Sequence, residues 1–538
     1  MRVTSRIGHT TAVVALVIGG VTAVAGTAGA DPSPGSWGRT LVVSTHVPPS
    51  AAQDQNADGD WRGNGCGRAS FTTIGSAVAA ANPGDTVLVC PGTYAEDVAV
   101  NKAISLVGRA ATIDATGLAN GLVVTSSHVS VSGFTVKGAL GEGILAQPPG
   151  AAALGGGLAS ASQALAPITG ISITGNTVTA NDQGGDPTTH QCTAVGLYPG
   201  DCGGGIHLNT VANSSVRWNI ATNNDDGILV TDDVGPNYGN VIADNFVAHN
   251  IYECGIVLPS HNTFAVTATT TNGIIFTVGS LTPATGGVFD NQVTGNVVLD
   301  NGSVVVPPFG GSGSGVGIFA PAPGSASYDN LVSDNYIAGS GQAGFTIHAH
   351  QTGGEYVSGN RVVDNVFGTN NTGGDGLDGP GTDPDFATTA ILVYSAVPAT
   401  IQIAGNHIHG NHIGIWLSAN VTASGLGTNS IIGATVPVYV SQVPWALAKP
   451  LNTSAPSATV GVLIYPNGLS TSYYVEYGTT STPYSSSTTP VTGLTGLGPV
   501  LGLVSLPGLT AGVTYHFQVV ATNAAGTTHG GDQTFAAA

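Results

Sequence analysis

Hydrophobic and polar positions repeat one short phrase along most of this chain. An apolar residue is followed by two others, then Asn, then alternating apolar positions, then a small residue and Ile. The phrase appears in ITGNTVTAN (173–181), VRWNIATNNDDGI (216–228), VIADNFVAHNIYECGI (241–256), VTGNVVLDN (293–301), LVSDNYIAGSGQAGF (331–345), VSGNRVVDN (357–365) and IAGNHIHGNHIGI (403–415). Small–apolar pairs that open a strand stand at Gly205-Ile206, Gly227-Ile228, Gly255-Ile256, Gly317-Ile318, Gly344-Phe345, Ala390-Ile391 and Gly414-Ile415. The short spacings predict one coil of a solenoid each, and the long ones an extra coil or a loop. A strand this short cannot bury its apolar face alone. Parallel stacking places Ile and Val inside and like residues above like. Asn at a repeated corner suits left-handed geometry and can bond along the stack, while Gly supplies turns of positive φ.

The pattern changes near both ends. Ile74, Ala77, Val78 and Ala81 share one helical face, and Pro83-Gly84-Asp85 stops that helix before the strand TVLVC. After Pro450 the phrase gives way to strict alternation in YYVEYG, TYHFQVVATNAAG and QTFAA, as in an antiparallel sandwich. The expected fold is therefore all-β: a right-handed parallel β-helix with a short N-terminal capping helix over residues 66–450, then a small antiparallel β-sandwich over 451–538. The helix, PGTY and ISLVG together resemble the entry to right-handed β-helix proteins of the pectate-lyase-like superfamily. That superfamily holds lyases, hydrolases, esterases, epimerases, adhesins and metal-site accessory proteins, so the resemblance implies a fold and not one activity. The run LTAGVTYHFQVVATNAAG resembles the late strands of a fibronectin type III domain, with Tyr515 at the tyrosine corner and Ala511 where the family carries Pro. Such modules imply spacing or attachment.

Arg2 and Arg6, the apolar stretch 11–25 and Ala28-Gly29-Ala30 predict a signal peptide over 1–30 and a secreted, extracellular protein, with a linker over 31–65. No later run is long enough for membrane insertion. Only 11 of 538 residues are Lys or Arg against 30 Asp or Glu, and the net charge of −19 opposes nucleic acid as a partner. Arg217 and Arg361 are the only fixed basic residues between 138 and 448, whereas polyuronate lyases of the resembled superfamily use Arg or Lys as base and clamp. A polysaccharide or cell-surface glycan is the expected partner, neutral or calcium-bridged if it is cleaved, and the chain is expected to be a monomer. Five cysteines suggest disulfides Cys66–Cys90 and Cys192–Cys202, with Cys254 buried or unpaired.

Candidate chemistry follows from counting along each strand. With the small residue before the first Ile or Phe as zero, offsets +2, +4 and +6 point outward. These columns bring together His207, Phe319, Thr346, Leu392 and Trp416 at +2, Thr231, His348 and Tyr394 at +4, and Asp233, His261 and His350 at +6. His207, Phe319, His348, His350, Tyr394 and Trp416 could bind sugar, or could pack beneath the long loops. At offset −2, Asp225 and Glu253 fall in consecutive coils, roughly 5 Å apart. Two carboxylates at that distance share a proton, hold a cation or form a retaining glycosidase pair, with Asp233 and His261 in support. Turn-forming Asp is the alternative. Asp54, Asn56 and Asp58 match half a calcium loop, and calcium is the one cofactor these acids suit. Two descriptions thus stand at this point. One is a polysaccharide hydrolase, or less favourably a lyase. The other is a non-catalytic adhesin or scaffold. A metal-binding accessory role on His348/His350 or His407/His409 ranks third.

Overall fold

The computed structural model describes residues 38–45, 66, 69–154, 158, 160–182, 204–250, 252–271, 274–306, 310–349, 355–375 and 387–538. The expected signal peptide, the Asp54/Asn56/Asp58 half-loop, Cys192, Cys202 and His350 lie outside these residues.

The chain winds as a right-handed parallel β-helix. Each full coil contributes a strand to sheet 1, turns a tight corner, contributes a strand to sheet 2, and crosses to sheet 3. The coil at residues 215–231 shows the order: Ser215–Arg217, Ile220–Thr222, then Asp226–Thr231. Long strands Ser105–Asp114 and Ser130–Lys137 run through the first corner and join sheets 1 and 2 into one sheet of 21 strands. Sheet 3 has 11 strands, and a row of five two-residue strands closes the return to sheet 1. Ile206, Ile228 and Ile256 pair in register, as do Val293 and Val332, so identical or similar side chains stack inside. All of these are fully buried in one continuous core.

Asparagines line the corners. Between sheets 1 and 2, Asn176, Asn219, Asn245, Asn296, Asn335, Asn365, Asn406 and Asn429 form one ladder, each Nδ2 donating to the Oδ1 of the next at 2.8–3.1 Å. From Asn219 on, each Oδ1 also accepts the backbone N–H of the Asn one coil earlier, for example Asn219 N at 2.9 Å from Asn245 Oδ1, while Asn176 Oδ1 accepts the Phe134 N–H. Shorter ladders run through Asn181, Asn224, Asn250 and Asn301, and through Asn240, Asn291, Asn330 and Asn360. The amide bonding is as expected, but the left-handed residue is the one before every ladder Asn except Asn429: among the non-glycines, Trp218, Asp244, Asp334 and Asp364 all have φ between 54° and 57°. The corner therefore divides its labour. One residue turns the chain, and the next binds along the stack.

The N-terminal helix Ile74–Ala80 buries Ile74, Ala77 and Val78 against the first strands. Glu96 accepts the N–H groups of Ile74 and Gly75, and Lys102 donates to the carbonyls of Val78, Ala79 and Ala81, which suits both ends of the helix dipole. The β-helix starts earlier than residue 66, because Thr40–Val43 already pairs in parallel with Thr86–Val89. It also ends sooner than residue 450, at Val436–Ser441. The strand Trp445–Asn452 belongs to the antiparallel unit that follows, pairing with Ser457–Tyr465. That unit packs a three-stranded against a six-stranded antiparallel sheet around Val460, Val462, Val475, Phe517 and Val519. Within it the Tyr515 hydroxyl accepts the Thr510 N–H at 3.1 Å. The Cys66–Cys90 disulfide is formed, and Cys254 is free and buried. The Thr-rich interruption is an antiparallel hairpin, Val266–Thr271 with Ile274–Leu281.

Candidate functional site

The outer side of sheet 3 is where the singled-out side chains meet. His207 is buried at the centre of strand Gly204–Asn209. Its Nδ1 lies 2.6 Å from Glu142 Oε1, one coil earlier, and Glu142 Oε2 accepts the Gly204 N–H at 2.7 Å. On the other ring nitrogen, Nε2 lies 2.8 Å from the Thr231 hydroxyl, one coil later. Thr231 also bonds Asp233, whose Oδ1 is 2.8 Å from His261 Nδ1 in the following coil. The result is a line of carboxylate, imidazole, hydroxyl, carboxylate and imidazole across the stacked coils. Every member is buried except His261, which reaches the surface in part. Burial pushes the Asp233 carboxyl up, but the His261 bond and charge, the nearby His207 charge and the Thr231 hydroxyl together hold it below the ordinary value of 3.8. Such a line orients each imidazole and gives a proton a path between them.

Asp232 points the other way and does structural work. Its Oδ1 accepts the N–H groups of His261 and Asn262, and its Oδ2 accepts the Ser260 hydroxyl and the Gly287 N–H. Complete burial nevertheless pushes its carboxyl up to about 6.

Asp225 and Glu253 stand just before strands that pair in register. Ile228 pairs with Ile256, and each acid stands three residues before its paired Ile. Asp225 and its neighbour Asp226 are buried, and Glu253 is half-buried. Asp226 and Glu253 both bear on the Cys254 thiol, which burial in the company of Leu229, Val257 and Phe319 pushes well up. Further along, His348 Nε2 lies 3.1 Å from Asp375 Oδ2, and Phe319 meets the His348 ring edge-on at 5.2 Å.

Two expectations are corrected. Phe319 does not share a column with Val257 and Thr346; it pairs with Pro259 and His348, and Gly317 takes the place assigned to it. The segment Gly315-Val316-Gly317-Ile318 offers the small–apolar pair twice, two residues apart, and a slip of two keeps every side chain on its own side. Trp416 is no surface platform. It is fully buried between Tyr394 and Tyr439, with ring centroids 6.2 and 6.1 Å away, and against Leu392, Ile413 and Ala343. His207 and His348 are likewise buried, while Phe319 and Tyr394 keep part of their surface.

The sequence reading missed Glu142. A signal existed: the residue just before the small–apolar pair is Glu142 in GEGI (141–144), Asp226 in DDGI (225–228) and Cys254 in ECGI (253–256). That position meets the outward +2 side chains: Glu142 bonds the His207 ring, and Cys254 packs with Leu229 and Val257. Among the described residues, no group of three or more His, Cys, Asp and Glu is arranged to hold a metal ion.

No protein-family model matches the chain, and neither does any curated protein. Among solved structures, pectate lyase Pel9A is similar at 13% identity over 76% of this chain and 82% of that one, with a TM-score of 0.33. The enzymatically active domain of bacteriophage CBA120 tailspike protein 2 is similar at 10% identity over 86% and 73%, with a TM-score of 0.27. XylC in complex with xylose is similar at 8% identity over 79% and 89%, with a TM-score of 0.29. At such identities and TM-scores these structures bear on neither substrate nor chemistry here, and the fold rests on the strand pairing itself.

Proposed function

We propose that the chain is a secreted, carbohydrate-directed β-helix protein that cleaves a neutral or calcium-bridged polysaccharide along the outer side of sheet 3. The observation that carries this reading is the pairing of Ile228 with Ile256, each with an acid three residues before it, beside Asp226 and the Glu142–His261 line. Adjacent strands are roughly 4.8 Å apart, which suits a retaining pair, one carboxylate as nucleophile and the other as acid and then base. Asp233 and His261 would support that pair, and the part-exposed Phe319 and Tyr394 would offer ring surface to the sugar. The resemblance to the pectate-lyase-like superfamily agrees with this reading, and the resemblance of the C-terminal unit to fibronectin type III domains suits a spacer or attachment module.

A second reading, a non-catalytic adhesin or scaffold, is favoured by one observation: Trp416, His207 and His348 are consumed by packing. A polysaccharide screen with and without calcium separates the two, reading reducing ends, unsaturated products and pull-down. New reducing ends that disappear in Asp225→Asn and Glu253→Gln, with an unchanged melting temperature, support the hydrolase. Binding without turnover supports the scaffold. Unsaturated products would mean a lyase despite the scarcity of Arg and Lys.

A further inference from the structure

Sheet 2 turns to solvent the residue that follows each asparagine of the long ladder. Between Thr177 at one end and His407 and Ser430 at the other, five consecutive coils place Ile220, Phe246, Val297, Tyr336 and Val366 there, paired in unbroken register. Ile220, Phe246, Val297 and Tyr336 are 43%, 39%, 37% and 41% exposed, and Trp218 at the adjoining corner is 61% exposed. The stripe runs for about 19 Å at the usual strand spacing. A continuous exposed apolar strip of this length marks a place for a partner.

Two features say which partner. The first is the placing of the rings. Phe246 and Tyr336 are two coils apart, about 10 Å, with Val297 between them. By contrast, Tyr238, Phe289 and Tyr328 stack on one another at 5.0 Å with nearly parallel planes, which uses up their faces. The Tyr336 hydroxyl comes within 3.7 Å of the point a Cβ on Gly368 would occupy, one coil on and two residues along. The ring therefore reaches toward the next coil while 41% of the residue stays exposed. Flat aromatic faces suit the C–H faces of sugar rings. In an extended β-linked chain alternate rings present the same side, so a two-coil interval matches a disaccharide unit. The second feature is the rim. Exposed Asp244, Asp334 and Asp364 edge the stripe at one corner and Asp300 at the other. Arg217 lies 3.3 Å from Asp244, but among the described residues no such cation pairs with Asp334, Asp364 or Asp300, and two copies meeting face to face would bring these acids together in a chain of net charge −19, which opposes self-association. Sugar hydroxyls donate to carboxylates and bring no charge.

We propose that this stripe is a second binding surface, for an extended, uncharged, β-linked polysaccharide, with Phe246 and Tyr336 stacking on alternate rings and the flanking aspartates accepting hydroxyls. It lies on a different sheet from Asp225 and Glu253 and does not depend on whether they turn substrate over. The test is depletion of the full chain by microcrystalline cellulose and by chitin, at low and at molar salt. The wild type should bind at least one, with little salt dependence. Phe246→Ser with Tyr336→Ser should weaken binding roughly tenfold or more at an unchanged melting temperature. Asp225→Asn with Glu253→Gln should bind as the wild type does. The proposal is overturned if the wild type binds neither solid, if the double serine variant binds equally well, or if light scattering finds a dimer that this variant dissociates.

Discussion

Removing one rung of the long ladder tests what holds the coils together. Asn245 is buried, and its side chain makes four hydrogen bonds. Its Oδ1 accepts Asn219 N at 2.9 Å and Asn219 Nδ2 at 3.1 Å, and its Nδ2 donates to Asn296 Oδ1 at 3.0 Å and to the Val216 carbonyl at 2.9 Å. In Asn245→Ala, Asn219 Nδ2 keeps the Ile173 carbonyl and Asn296 Oδ1 keeps the Asn245 N–H. The Asn219 N–H is left with no acceptor, and Val216 O loses a donor. An orphaned buried group costs about 1–3 kcal/mol, and the emptied amide volume adds to it, so the expected loss is about 3–4 kcal/mol. Because coils of a solenoid interact mainly with their neighbours, the loss should be read by urea unfolding together with amide exchange in strands Ser215–Arg217 and Gln292–Thr294. Asn245→Asp sharpens the test. The aspartate keeps the acceptor role but faces Asn296 Oδ1 and Val216 O, so its folded pKa must rise above the unfolded value of about 3.9. Stability then falls as pH rises through that interval, and the variant should be weaker at pH 7 than at pH 4. A loss below about 1 kcal/mol for Asn245→Ala, or no pH dependence for Asn245→Asp, would refute the ladder as a source of stability.

Other predictions concern the line on sheet 3 and its surroundings. Asp233 has a lowered folded pKa, so it contributes stability above about pH 3.8 that is lost as pH falls through the folded value. In His261→Ala the buried carboxyl loses its partner and its pKa rises; acidification from pH 7 should then narrow the gap to the wild type, and a gap that widens would contradict the pairing. Asp232→Asn should destabilise by about 1–3 kcal/mol, because an amide NH₂ cannot serve both Ser260 and the Gly287 N–H that Oδ2 now accepts; thermal unfolding reads it. Glu142→Gln should shift the His207 ring resonances in NMR far more than those of exposed His407, and equal shifts would place Glu142 outside the line. Cys254 should resist thiol reagents at pH 8 until the protein unfolds, since its thiol is buried and its pKa raised.

The sequence exposed the skeleton more readily than the surface. Corner Asn, inward Ile and Val and the capping helix each announce themselves through a local period. Gly317 misled because a period of two cannot tell a strand from the same strand slipped by two. Trp416 misled for another reason. Alternation says that a side chain leaves the core, but not that Tyr394, Tyr439 and Ala343 will cover it from outside. Glu142 escaped because simple alternation from the small–apolar pair puts its position inward with +1, whereas its side chain bonds His207 on the outer side. The acidic pair was proposed because Asp225 and Glu253 sit the same distance before Gly-Ile in adjacent coils, and the pairing itself begins only at Ile228 and Ile256.

The long ladder joins asparagines that are 43, 26, 51, 39, 30, 41 and 23 residues apart in the chain, yet every rung closes to nearly the same length. The backbone between rungs is therefore free to lengthen or shorten without the spine registering it. Segments such as the hairpin Val266–Thr271 with Ile274–Leu281 hang from a frame that does not measure them. In such an architecture, what the molecule recognises can drift quickly through its excursions while the axis stays fixed, and a whole coil could be added or removed as a unit of inheritance.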